Sequence, residues 1–220
     1  MKQRVLPFAR GCERELLAAA AAFILSVLLA WAFPSGWTNL IAVIMMILLA
    51  IFLLFFRDPE RTPPDDSTLL VSPADGRVVM IKDVVEDKHI GGEATRVSIF
   101  LSLFDVHVNR SPLKAQVCWM EHRAGEFKNA AFADASEVNE RNTIALQAGS
   151  TKIIVRQIAG LVARRIVCWA KPTQTVERGE RLGLIKFGSR VDVFLPRRTT
   201  VLVKVGDTVR GGETAIAKIS

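Results

Sequence analysis

Two long uncharged apolar runs, Leu16 to Phe33 and Leu40 to Phe56, stand six residues apart near the amino terminus. Each approaches the roughly 20 apolar residues, rising about 1.5 Å apiece, that a helix needs to cross a hydrocarbon core about 30 Å thick. The intervening PSGWTN carries Pro34 and Gly36 as helix breakers, with Trp31 and Trp37 where interfacial aromatics belong. A cleaved signal peptide is the competing reading of the first run. The length of the run, Glu13 and Glu15 just ahead of it and the second run directly after favour two spans. Lys2, Arg4, Arg10 and Arg14 precede the first run, Arg57 and Arg61 follow the second, and the turn holds no Lys or Arg. That pattern puts both termini on the cytoplasmic face of a cell (inner) membrane. A hairpin lying partly in the interface is the weaker alternative.

The expected organisation is a cytoplasmic amino terminus (1–15), a membrane helical hairpin (16–56), a linker (57–68) and one domain (69–220). The linker is charged and proline-containing (RDPERTPPDD), a natural boundary. The roughly 160 residues beyond the hairpin suffice for one hydrophobic core. A formal net charge of +7 suits either nucleic acid or an anionic surface. Tyr is absent, and Arg164-Arg165 and Arg197-Arg198 are only short pairs, so nucleic acid is disfavoured. Next to membrane spans, an anionic membrane surface is the simpler partner. Cys12, Cys118 and Cys168 have no short spacing, which argues against a disulfide scaffold or a zinc knuckle. His89, His107 and His122 are too scattered to suggest a metal site.

Beyond the linker, short β-branched segments alternate with turn signals: Leu69 to Ser72, Arg77 to Ile81, Arg96 to Leu101, Lys152 to Ile158, Arg165 to Trp169, Val191 to Leu195 and Val201 to Val205. Such spacing predicts a mainly β (α+β) domain rather than βαβ units. Phe127 to Asn142 is the one helical candidate. Val176 to Glu180 and Val209 to Glu213 share the pattern V-x-x-G-E, each followed by an apolar strand. With Val205-Gly206-Asp207 they resemble turns of biotinyl- and lipoyl-carrier domains, suggesting a sandwich of similar halves. Two unrelated tight turns needing glycine explain the echo about as well.

Three phrases stand out for chemistry. Ser72-Pro73-Ala74-Asp75-Gly76 joins two strands, although Pro-x-Asp-Gly is a good turn on mechanical grounds alone. FDVHVNRSP (Phe104 to Pro112) follows a very apolar strand and carries His107. Lys186-Phe187-Gly188-Ser189-Arg190 interrupts a strand pair. Asp, His and Ser permit a nucleophile, base and orienter, but any chain of this size offers such a trio. No Gly-x-Ser-x-Gly elbow surrounds Ser189.

The order of these phrases resembles the phosphatidylserine decarboxylase proenzymes, in the short form with a membrane hairpin. FFRDPER (Phe55 to Arg61), SPADG, FDVHVNRSP, AGEFKNA (Ala124 to Ala130), ASEVNERN (Ala135 to Asn142), RQIAGLVARRIV (Arg156 to Val167) and Phe187-Gly188-Ser189 run in family order. The resemblance implies self-cleavage at Gly188-Ser189, giving a large subunit (1–188) and a small one (189–220). It turns Ser189 into a covalent pyruvoyl cofactor, which takes the serine head group of phosphatidylserine as a Schiff base and yields phosphatidylethanolamine. No metal is implied, and a homo-oligomer is left open.

By the same resemblance Asp75 matches the acidic member of the self-cleavage triad. One departure matters. Longer relatives carry D-x-H-x-x-H-x-P; here Asp105, His107 and Pro112 are in register, but Arg110 replaces the second histidine. Either His107 serves both cleavage and decarboxylation, or Arg110 holds a substrate phosphate or carboxylate while another residue assists the cut. The first is favoured because a histidine pKa suits both tasks. Two other classes compete: a membrane-tethered lipoyl- or biotinyl-like carrier modified on Lys88, and a membrane-bound serine hydrolase using Ser189, His107 and Asp75.

Overall fold

A computed structural model describes residues 7–128, 135–161, 165–186 and 189–219. It divides into two compact units, one ending at Pro59 and the other beginning at Glu60. The first unit holds α1 (Glu13–Ala32) and α2 (Gly36–Phe55), both long and apolar enough to cross a membrane. Their side chains stay largely uncovered, Trp31 at 84% and Trp37 at 77% exposure. The turn is shorter than PSGWTN. Ser35 caps α2, accepting from the Thr38 N–H (3.2 Å) while the Ser35 N–H donates to Thr38 Oγ1 (3.1 Å). That reciprocal cap satisfies two otherwise orphaned donors and lets Gly36 start the helix instead of breaking it.

The second unit is mainly β, as expected, and its strands fall into two similar halves. Its first half is β1 (Leu69–Val71), β2 (Gly76–Glu86) and β3 (Gly92–Leu101), resumed much later by β11 (Ser189–Pro196), β12 (Thr199–Val201), β13 (Thr208–Val209) and β14 (Ala215–Ile219). The second half is inserted whole: β4 (Val108–Arg110), β5 (Ala115–Arg123), β6 (Arg141–Ala148), β7 (Thr151–Ile158), β8 (Arg165–Cys168), β9 (Thr175–Val176) and β10 (Arg181–Lys186), with α3 (Ala135–Val138) between β5 and β6. An eight-stranded sheet runs β13-β2-β3-β11-β7-β6-β5-β9, and two three-stranded sheets run β1-β14-β12 and β4-β10-β8. Exchanging the halves reverses the first order and swaps the other two.

The echo in the sequence has the same origin. Gly179 and Gly212 both sit at positive φ, +78° and +80°, where a Cβ is unfavourable. Their N–H groups donate to Ser111 and Ser72 carbonyls, each at 2.8 Å. The two Ser-Pro turns also grip each other, Arg110 N–H to Pro73 O (2.8 Å) and Val71 N–H to Pro112 O (2.9 Å). Alternating side chains of the long strands fill one core, including Val97, Ile99, Ile144, Val155, Val191 and Val193, all fully buried. Each such burial contributes about 1.5–3 kcal/mol.

Two strand and helix expectations need correction. Among the described residues, the helix expected over 127–142 survives only as Ala135–Val138, and Arg141 opens β6. Residues 129–134 of that expectation lie outside the described residues; just past Val138 the Asn139 amide bonds the Lys128 N–H and C=O (3.0 and 2.8 Å) and the Ala159 carbonyl (2.8 Å), which fixes the chain where β6 begins. The strand expected over 201–205 ends at Val201, and Leu202 and Val205 are exposed. His89 is half-buried, with its ring 4.0 Å from that of Trp119.

Candidate active site

The chain passes between the two halves twice, through 102–107 and through 187–188. His107 ends the first passage and Ser189 begins the strand after the second. In the inserted half, Ala148 and Thr151 close a hairpin through Gly149 and Ser150. The matching pair in the other half is Leu101 and Ser189, where an entire half replaces the turn. Ser189 thus sits at a strand end that no local turn closes. Gly188, the expected scissile bond and its turn lie outside the described residues.

Ser189 is fully buried, and its Oγ has no hydrogen-bond partner among the described residues. Its backbone is held firmly, because β11 pairs with β3 from Ser189 to Pro196 and with β7 from Arg190 to Phe194. On the opposite face Arg190 and Asp192, both fully buried, pair at 3.1 Å, and Ser136 Oγ donates to Asp192 at 2.5 Å. Removing either charge would strand the other in the interior, so this pair locks the strand that presents Ser189.

His107 is also fully buried. Its Nδ1 lies 2.9 Å from the Asp105 carbonyl oxygen, which can only accept, so Nδ1 carries the proton. That makes Nε2 the nitrogen able to take or give one. Asp105 in turn accepts from the Ser102 N–H and hydroxyl, both at 2.7 Å, which fixes the passage. The Ile185 N–H donates to the His107 carbonyl (3.3 Å), tying His107 to the strand that leads into residues 187–188.

Asp75 belongs to a charged cluster beside this point. Its Oδ1 accepts from the Gly211 N–H (2.7 Å) and its Oδ2 from Arg61 Nη2 (2.9 Å). Arg61 also reaches Glu213 at 2.9 Å. Burial pushes the Asp75 carboxyl above the ordinary aspartate range, while Gly211 and Arg61 pull it back. Because Nδ1 of His107 faces a main-chain carbonyl, no Asp75–His107 pair is made at that nitrogen. Asp75 stands just ahead of β2 and Ser189 opens β11, and β3 lies between those two strands, which sets them about two spacings of ~4.8 Å apart.

Arg110 is 3% exposed and donates from Nη1 to the Gly179 carbonyl at 3.0 Å. Burial, with Arg181 and Arg61 nearby, pushes its pKa down to about 10. His122 lies elsewhere, half exposed and 3.0 Å from Glu140. Among the described residues no three His, Cys, Asp or Glu side chains group as metal ligands.

Sequence reasoning did not single out Arg61 or Glu213, nor the buried amides Asn109, Gln157 and Asn142. All five stood inside quoted phrases: Arg61 in FFRDPER, Asn109 in FDVHVNRSP, Asn142 in ASEVNERN, Gln157 in RQIAGLVARRIV and Glu213 in the second V-x-x-G-E. Nothing in the sequence attaches Gln157 to Asn109, which it meets only through the sheet register.

Comparison with known proteins agrees with this layout. The family model for phosphatidylserine decarboxylase matches residues 48–217, from within α2 to β14. A phosphatidylserine decarboxylase proenzyme from Desulfotalea psychrophila is 46% identical over 182 residues, 82% of this chain and 85% of that protein. A match running through both halves and both passages between them leaves one assignment: the chain belongs to the phosphatidylserine decarboxylase family.

Proposed function

We propose that this chain is a self-processing proenzyme that converts phosphatidylserine to phosphatidylethanolamine, using a pyruvoyl group made from Ser189. The observation that carries the reading is the buried Ser189 hydroxyl at the head of β11, beside the passage that bears His107. In this reading Ser189 Oγ passes its proton to His107 Nε2 and bonds to the Gly188 carbonyl carbon. The C–N bond then breaks as nitrogen takes that proton, leaving an ester. Loss of the Ser189 Cα proton expels the Gly188 carboxylate from Cβ, and water replaces the nitrogen, which leaves as ammonia.

The site suits a pyruvoyl group at position 189. The small product would keep β11 between β3 and β7, β13 on β2 and β14 on β1. A cut at 188–189 therefore removes a covalent link but no strand pairing among the described residues. The ketone supplies an electron sink for the pair left behind when carbon dioxide departs. His107 Nε2 is positioned on this reading to return a proton to the substrate carbon. We assign Arg110, engaged with the Gly179 carbonyl, to bracing the Asp75 cluster rather than to gripping substrate phosphate. The two apolar helices, with basic residues on both flanks, support anchoring at an anionic membrane on the cytoplasmic side.

The direct test is intact mass together with turnover on vesicles containing phosphatidylserine. Two fragments are expected, the smaller beginning with a blocked residue lighter than serine, accompanied by phosphatidylethanolamine and carbon dioxide. A single intact chain that still decarboxylates the lipid would sink the pyruvoyl reading.

Arg61 offers a pH test of Asp75. If cleavage needs the Asp75 carboxylate, its rate falls on acidification at a pH above the ordinary aspartate range. Arg61 holds that pKa down, so Arg61→Gln should move the acid limb to higher pH. A rate lowered equally at every pH would make Arg61 merely structural.

A further inference from the structure

Three buried amides form a file through the polar end of the core. Asn142 Nδ2 donates to Gln157 Oε1 at 2.9 Å, and Gln157 Nε2 donates to Asn109 Oδ1 at 2.8 Å. Their exposures are 4%, 0% and 0%. Gly183 leaves room for this crossing, since a Cβ there would come within 2.9 Å of Gln157 Nε2. Each link dictates how the next amide is turned. With its oxygen taken by Gln157, Asn109 presents Nδ2 onward, and that donor has no partner among the described residues.

The register shows where the file leads. Gln157 lies opposite Val191 on the core face of the sheet, and Ser189 is the next core-facing residue on β11. Ser189 and Gln157 are therefore diagonal neighbours, about 7–8 Å apart at the backbone. Asn109 is one hydrogen bond from Gln157 and two residues along the chain from His107. Two buried polar groups without described partners, Asn109 Nδ2 and Ser189 Oγ, thus occupy the same end of the core. A buried donor left unmade is costly, and that cost is tolerated where a reaction later supplies the acceptor.

We infer that Asn109 is a catalytic residue whose Nδ2 donates a hydrogen bond to the carbonyl oxygen of the 188–189 bond, with Gln157 and Asn142 as positioning residues. The inference rests on the Ser189 reading. As Ser189 Oγ bonds to the carbonyl carbon, the carbonyl π pair moves onto oxygen. Asn109 stabilises that charge and keeps its own proton. Such a donor matters most when it is aimed in advance, and the amide file does the aiming.

The test follows cleavage of freshly synthesised full-length chain in vesicles. Asn109→Ala should slow it about 100-fold or more. Gln157→Glu serves as the second variant. When ionised, its oxygens can only accept, so Asn109 must turn and offer Oδ1 to the reaction; cleavage then falls comparably. Protonation restores a donor to Asn109 Oδ1, so the ratio of variant to unaltered rate should rise on acidification. Unaltered cleavage in Asn109→Ala, or a ratio in Gln157→Glu that stays flat with pH, overturns the inference. Ser189→Ala run in parallel separates the two ideas: if it is cut as well, the Ser189 reading fails whatever Asn109 does.

Discussion

Ser189→Ala is expected to yield one full-length chain with no decarboxylase activity above background. The variant removes the nucleophile and the future cofactor together, so both readouts fall to zero rather than by a factor. Folding gives no competing explanation. Ser189 Oγ is buried without a partner among the described residues, and such a hydroxyl typically costs about 1–3 kcal/mol rather than stabilising. The melting temperature of Ser189→Ala should therefore match or exceed that of an uncleaved reference. β11 keeps its full pairing with β3 and β7, because backbone atoms make it. A variant that still splits into two fragments would move the cut away from the 188–189 bond. A stable, uncut variant retaining full turnover would instead remove any need for a group at 189.

Much of the fold was legible because local signals and tertiary structure agree. The hairpin follows from two uncharged runs, and most strands from β-branched alternation between turn residues. The V-x-x-G-E echo left duplication and two unrelated turns equally open, and only the fold shows Gly179 and Gly212 doing the same job in equivalent turns. Legibility failed where side chains override local propensity. Ser35 and Thr38 convert an apparent breaker into a helix start, and Asn139 spends its side chain on Lys128 and Ala159 where the sequence suggested continuing helix. The site was legible residue by residue but not as an arrangement. Ser189, His107 and Asp75 stood in recognisable phrases, yet their setting depends on one half being inserted into the other. That insertion brings residue 107 beside residue 185 and opens the hairpin end that Ser189 occupies. Arg61 and the amide file lie further from legibility, since each partner is chosen by register and not by neighbouring sequence.

His107→Ala tests whether one histidine serves both the cut and the decarboxylation, a question raised by Arg110 replacing the second histidine of longer relatives. Loss of a general base typically costs 10²–10⁴-fold, so cleavage should slow by about that factor. Removing a fully buried imidazole also leaves a cavity, so a loss of about 2–4 kcal/mol in stability is expected on those grounds alone. Melting temperature must therefore be measured beside the cleavage rate. One comparison separates chemistry from packing. His107→Gln fills most of the space but cannot act as a base, and it should remain as slow as Ala while melting higher. A variant that is cleaved normally but inactive would confine His107 to the lipid step and leave the cut to another base. A variant that is cleaved and active would remove His107 from the chemistry altogether. The dual role predicts neither, because Nδ1 is committed to the Asp105 carbonyl and Nε2 alone must handle the proton in each step.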